Sequence, residues 1–146
     1  MLSEAPIASI LRGTPAASGD TSLRGMLGGT AAEDPRIYVD EAPEGLARPY
    51  LVFTRSDDEV LLGSGGVLDF GAVDYELVVT ADDPDEARSV MDKVIEVLGA
   101  ITDGEYGPAG GLERVQTVFW QGATSEFDDE TRYFIRRGSA RFWGGG

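Results

Sequence analysis

The sequence predicts an α+β domain: a mixed, mostly antiparallel sheet covered on one face by a long amphipathic helix, with short helices ahead of it. Three observations carry this reading. Between Val67 and Thr80, Val73, Tyr75, Leu77 and Val79 alternate with Asp74, Glu76 and Thr80, the period of a strand with one buried face. Directly after it, Ala87, Val90, Met91, Val94, Ile95 and Leu98 recur at helical spacing, while Arg88, Asp92, Lys93 and Glu96 fall on the opposite side. Two further apolar runs, Glu113 to Gln121 and Thr131 to Arg137, then follow each other across "GATSEFDDE", as antiparallel neighbours do. Strands, a long helix and more strands make a sheet with a helical layer on one face.

The elements follow in order along a single domain of residues 1–146. Residues 1–30 form a helical region. Ser3 is placed to cap a first short helix with Ile7, Ile10 and Leu11 on one face, which Gly13 and Pro15 end. Asp20 or Thr21 opens a second short piece carrying Leu23, Met26 and Leu27, stopped by Gly28 and Gly29. Both are too short to persist without tertiary packing. Arg36 to Val39 is the first strand, and Tyr50 to Thr54, entered through Pro49, is the second. "RSDDEVLLGSGG", Arg55 to Gly66, reads as a long loop. For the long helix, Asp83 is the N-cap, Pro84 fits the first turn, Glu86 completes a capping box, and Gly99 supplies a left-handed end. Residues 139–146 are expected as a short C-terminal tail, of which Ser139 to Trp143 can prolong the last strand.

Composition narrows the chemistry. With 146 residues the chain can bury a core without metal or disulfide staples. It has no histidine and no cysteine, which removes His-based triads, thiol nucleophiles and the usual zinc ligands. A net charge of −14 argues against wrapping nucleic acid, which takes Lys and Arg, and against docking on an anionic membrane. The same charge suits a wall that repels phosphate and lets a duplex slide past. No apolar run is long enough to span a bilayer, and the opening "MLSEAPIASILRG", acidic at Glu4, is not expected to be a secretory signal.

Short matches to known motifs do not survive their context. "DFG" at Asp69 to Gly71 lacks every other kinase element, and "GSGG" at Gly63 to Gly66 lacks the Lys-Ser/Thr of a phosphate loop. "DDPD" at Asp82 to Asp85 and "EFDDE" at Glu126 to Glu130 offer oxygens to a hard cation, but capping and a solvated turn account for them and neither has EF-hand spacing. No cofactor is implied. Trp120, Phe142 and Trp143 fit core packing and an oligomer interface equally well. Arg132, Arg136, Arg137 and Arg141 form a basic group that either lines solvated strands or meets the acidic side of another copy.

The order of pieces, with "RIYVDEAPEGLARPYLVF" leading into the sheet, "DYELVVTADDPDEARSVMDKVIEVL" passing from strand to helix, and "TRYFIRRGSARF" near the end, resembles the tail terminator (tail completion) proteins of long-tailed bacteriophages. The resemblance runs from about Arg36 onward. It implies a structural, non-enzymatic virion protein of the tail and neck, assembled in the host cytoplasm. Its implied partners are itself in a homohexameric ring, the major tail tube protein and the head-tail connector or head completion protein. Genome DNA is implied to pass through the ring without sequence-specific binding, and no membrane is involved. Neighbouring stations, a head-completion, stopper or adaptor protein of the neck, share this size and chemistry. A small metal-dependent hydrolase using Asp82, Asp83 and Asp85, and an acidic DNA-mimicking module, are the alternatives from other classes.

The candidate interface is expected at Asp57, Asp58, Glu59, Leu61 and Leu62 in the long loop, and at Arg132, Arg136, Arg137, Phe142 and Trp143 in the last strands. Pro43 and Pro49 are expected to stiffen the acidic elbow between the first two strands and to fix how they meet, its acids facing solvent or a neighbour.

Overall fold

The computed structural model describes residues 2–13, 22–30, 33–63 and 66–145, with the backbone alone for 58–63 and 66–70. Within these, the helices are α1 (Ala5–Arg12), α2 (Leu23–Met26) and α3 (Pro84–Gly99). The strands are β1 (Ile37–Val39), β2 (Tyr50–Gly63), β3 (Gly66–Ala81), β4 (Gly104–Tyr106), β5 (Glu113–Asp128) and β6 (Tyr133–Gly144). They form one six-stranded sheet in the order β1-β2-β3-β6-β5-β4. Only the β1–β2 pair is parallel. The fold is thus the α+β arrangement that the sequence predicts, with the sheet partly curled into a half-barrel.

Alternation builds the core. On the helix side of the sheet, Val73, Tyr75, Leu77 and Val79 of β3 are fully buried, as are Leu51 and Phe53 of β2, Ala140 and Phe142 of β6, Val115 of β5 and Ile37 of β1. Register sets these contacts: Leu51 lies opposite Val79, Phe53 opposite Leu77, and Val73 opposite Phe142. Tyr75 is the hub of an aromatic group, 5.8 Å from Phe53 and 5.8 Å edge-on from Phe142. Such pairs add about 0.5–1.5 kcal/mol to the area they bury.

The helix α3 covers β3, β6 and β5 with Ala87, Val90, Met91, Val94 and Leu98. Its start is the predicted one: Asp83 Oδ1 accepts from the amides of Asp85 (2.7 Å) and Glu86 (3.3 Å). Its end is not. Gly99 lies within the helix and Ala100, with right-handed angles, is the cap.

The first helices complete the cover. Ile7 and Leu11 of α1 are buried, and Gly13, at φ 63°, ends it. Glu4, not Ser3, stands at the N-cap of α1; the Ser3 hydroxyl oxygen accepts from the Ala5 amide (3.4 Å), while its own amide (2.9 Å) and hydroxyl both donate to the Glu113 carboxylate of β5. Ser22, not the two residues before it, caps α2; Asp20, Thr21 and Pro15 lie outside the described residues. α1 touches both β1 and β4, the two edge strands of the sheet. Arg12 donates to Ile37 O (3.2 Å) and Arg55 to Leu2 O (2.8 Å), so residues 2–12 tie β5 at one side of the sheet to β1 and β2 at the other.

Three expectations are corrected. Arg55 to Gly63 is not a loop but the second half of β2, paired with β3 up to Gly63 opposite Gly66; a bulge between Arg55 and Asp57 breaks the alternation that would have marked it. "GATSEFD" is the second half of β5, again masked by a bulge, between Trp120 and Ala123, with Gly122 at φ 110°. Residues 139–144 are no tail: they pair on both sides within β6. Gly144 shows how closely: a Cβ there would stand 2.1 Å from Arg114 O. Gly144→Ala is therefore expected to lower stability by about 1–3 kcal/mol, because backbone must shift to admit it; urea unfolding followed by circular dichroism measures this.

Candidate assembly surface

The elbow between β1 and β2 returns the chain so that Ile37 lies beside Leu51 in parallel. Asp40, at φ 65°, donates its amide to Phe53 O (3.0 Å), and Asp40, Glu41, Pro43 and Glu44 are exposed. Pro49 is buried and follows a cis peptide bond. Arg48 anchors the elbow. Its guanidinium bonds Asp82 (2.5 Å) at the exit of β3 and Tyr133 Oη (2.7 Å) at the start of β6, and lies 4.0 Å over the Tyr133 ring. One planar cation thus joins three segments through hydrogen bonds and a stacked face, which an ammonium does less well. A cleft of about 250 Å³ runs alongside, lined by Pro43, Leu46, Arg48, Tyr50 and Tyr133.

The bare face of the sheet, opposite α3, is charged and cross-linked. Arg141 of β6 holds Asp74 of β3 in a two-bond pair (2.8 and 3.0 Å). Arg137 bonds Glu76 (3.1 Å) on one neighbouring strand and Glu126 on the other. Ser139 donates to Gln121 (2.8 Å). These cross-strand pairs are worth a few tenths of a kcal/mol each where exposed. Between them is an open depression of about 440 Å³, lined by Glu76, Gln121, Gly122, Thr124, Arg137 and Ser139. Gly138 lies at its base, and on the helix side of the sheet a Cβ there would stand 2.3 Å from the Trp120 indole.

The predicted interface residues fall in three places. Asp57, exposed, and Asp58, Glu59, Leu61 and Leu62 lie on the distal half of β2, which β1 leaves uncovered beyond Phe53. Arg136 and Arg137 lie on β6, and Arg132, exposed at φ 63°, in the β5–β6 turn, 5.8 Å over the Phe127 ring. Arg136 donates to Ser125 Oγ (2.6 Å) and Arg137 serves the carboxylates just described, so both are engaged inside the sheet. Phe142 is fully buried against Tyr75 and faces the protein's own interior; Trp143, half-buried, points to the other face. Of the carboxylates considered for metal, Asp82 holds Arg48 and Asp83 caps α3.

Sequence reasoning missed one feature of this surface. Past Val115, where β4 stops, no strand among the described residues pairs with the outer edge of β5. The exposed large apolar residues among those described, Leu112, Phe119 and Phe127, all lie on β5 or immediately before it. The signal was present in "QTVFWQGATS", a run with no charge in a highly charged chain.

Residues 14–142 match the family of tail completion protein gp17. The chain belongs to this family. It is accordingly a structural, non-catalytic protein of the phage tail and neck, carried in the virion and working against other tail and neck components. A chain from the "Virion of native gene transfer agent (GTA) particle" shares the fold, with a TM-score of 0.55 at 14% identity, covering 88% of this chain and 87% of that one. Comparison with curated proteins returns no match.

Two predictions test the electrostatics of this surface. Hydrogen bonds from Arg114 to Asp103 (2.9 and 2.8 Å) hold that carboxyl below its ordinary value of 3.8. The pair's contribution is therefore present above the unfolded value and lost as pH falls through the lower folded one. A carbon-detected NMR titration is expected to place the Asp103 midpoint below 3.8, and Arg114→Ala to return it upward. Arg48→Ala is expected to free the elbow, with amide exchange of residues 41–50 several-fold faster and the α3 amides unchanged, measured by hydrogen-exchange mass spectrometry.

Proposed function

We propose that this protein is a tail terminator. It closes as a homohexameric ring on the end of the finished tail tube and prevents the next tube subunit from adding. Its opposite face is left for the head completion protein or connector, and genome DNA passes through the centre without sequence-specific binding. The observation that carries the reading is membership of the tail completion family over residues 14–142. The chemistry supports it: a net charge of −14 suits a passage that must not hold phosphate, and the arginines Arg137 and Arg141 are engaged by carboxylates of the same sheet. A head-to-tail ring closes without leaving a free contact around its circle, so it can present two different faces to tube and head.

Mass measurement and negative-stain imaging of the purified protein, alone and with tail tubes, test this. Six-membered rings at tube ends, and tubes that no longer elongate when more tube subunit is added, are the expected outcome. Persistent monomers that leave elongation unchanged would refute it.

A further inference from the structure

We infer that the ring is built by sheet continuation: the free edge of β5, from Gln116 to Gln121, receives the free edge of β2, from Thr54 to Glu59, of a second copy, the stretches that lie at one height across the sheet and that neither β1 nor β4 covers. The inference rests on the ring reading above and says which surfaces make it.

Three observations carry it. First, both edges of the sheet are only partly covered. β1 pairs with β2 at Leu51, Val52 and Phe53 alone, and β4 pairs with β5 at Glu113, Arg114 and Val115 alone. Each remaining stretch presents backbone donors and acceptors to no strand among the described residues. Second, the β5 edge lacks the usual guards. Natural edges of this length carry charges or proline to prevent pairing. Gln116 to Ser125 carries neither, and its only device is the bulge at Gln121 and Gly122. Phe119 and Phe127, 55% and 43% exposed, stand along it. Third, the directions match. Following the pairings across the sheet, β2 is antiparallel to β3, β3 to β6, and β6 to β5, so β5 runs opposite to β2. Copies rotated about an axis along the strands therefore bring a neighbour's β2 beside β5 in antiparallel sense, the more stable pairing. The two edges lie on opposite sides of one sheet, which gives a head-to-tail contact that closes into a ring. Charge agrees as well: the neighbour's Asp57 meets an uncharged stretch, where an acidic edge would repel it.

The chain has no cysteine, so engineered thiols report contacts without background. Asp57, paired with Asp74, and Thr117, Gln121 and Thr124 lie on the bare face of the sheet. Asp57→Cys is combined in turn with Thr117→Cys, Gln121→Cys or Thr124→Cys, and with Arg88→Cys on the exposed side of α3 as the control. Facing strands bring Cα atoms to about 4.5–5.5 Å, within disulfide reach. On mild oxidation at least one of the three pairings is expected to give a covalent ladder up to the closed ring on a denaturing gel, and the control none. In the unaltered protein, hydrogen exchange is expected to slow about tenfold or more at alternate amides of residues 116–121 on assembly. Rings by mass with no ladder and no added protection would overturn the edge contact and leave the ring standing. A ladder from the control pair alone would overturn the edge contact too. Absence of rings, both alone and on tubes, would overturn both.

Discussion

The geometry of this protein depends on one tie: the segment from Leu2 to Arg12 holds both sides of a curled sheet. Ser3 grips Glu113 on β5, Arg12 caps the carbonyl of Ile37 on β1, and Arg55 on β2 holds Leu2 O while also reaching Tyr75 Oη (3.3 Å). Between these polar contacts, Leu2, Ile7 and Leu11 are buried in the same cluster as Tyr75 and Met91. An open twisted sheet would otherwise leave its rim strands apart. Here α1 sits between them, and α3 covers the same core with a stripe of Val, Met and Leu. The helical layer is therefore a strap as well as a cover, and the polar bonds at its ends set where it lies.

The charge of the chain is organised by the same sheet. Carboxylates at Asp74, Glu76 and Glu126 alternate across the bare face with arginines at 137 and 141, and each arginine bridges to an adjacent strand. The excess of acid is displaced to the periphery, with Asp40, Glu41 and Glu44 on the elbow and Asp82, Asp83, Asp85 and Glu86 around the start of α3, all exposed. A sheet face whose charges are largely paired, inside an acidic outline, is compatible with close approach of another protein at the sheet and with repulsion of phosphate elsewhere.

Much of the fold was legible because local signals agreed with the tertiary answer. The alternation of Val73, Tyr75, Leu77 and Val79 became the central strand, and Asp83, Pro84 and the apolar stripe after them became α3 with its predicted cap. Legibility failed at bulges. At Ser56 and at Gln121–Gly122 an extra residue shifts the alternation by one, so strands of 14 and 16 residues read as short strands followed by loops. It failed again at β4, which is three residues long and has no period to detect. For the surface, residue types were readable and their partners were not. Arg136 and Arg137 were visible as a basic pair, but only register reveals that Ser125, Glu76 and Glu126 already occupy them. Phe142 and Trp143 are adjacent in sequence and lie on opposite faces by the geometry of any strand, which sends the first into the core.

The strap across the half-barrel has a consequence for counting. In an assembly made by laying sheet beside sheet, the angle from one copy to the next follows from how far each sheet bends before it reaches its rim. In an assembly of that kind, the bend that Ser3, Arg12 and Arg55 fasten within a single chain would set the pitch of the circle before a neighbour arrives. The circumference would then be inherited from the monomer, with no need for a template to measure it.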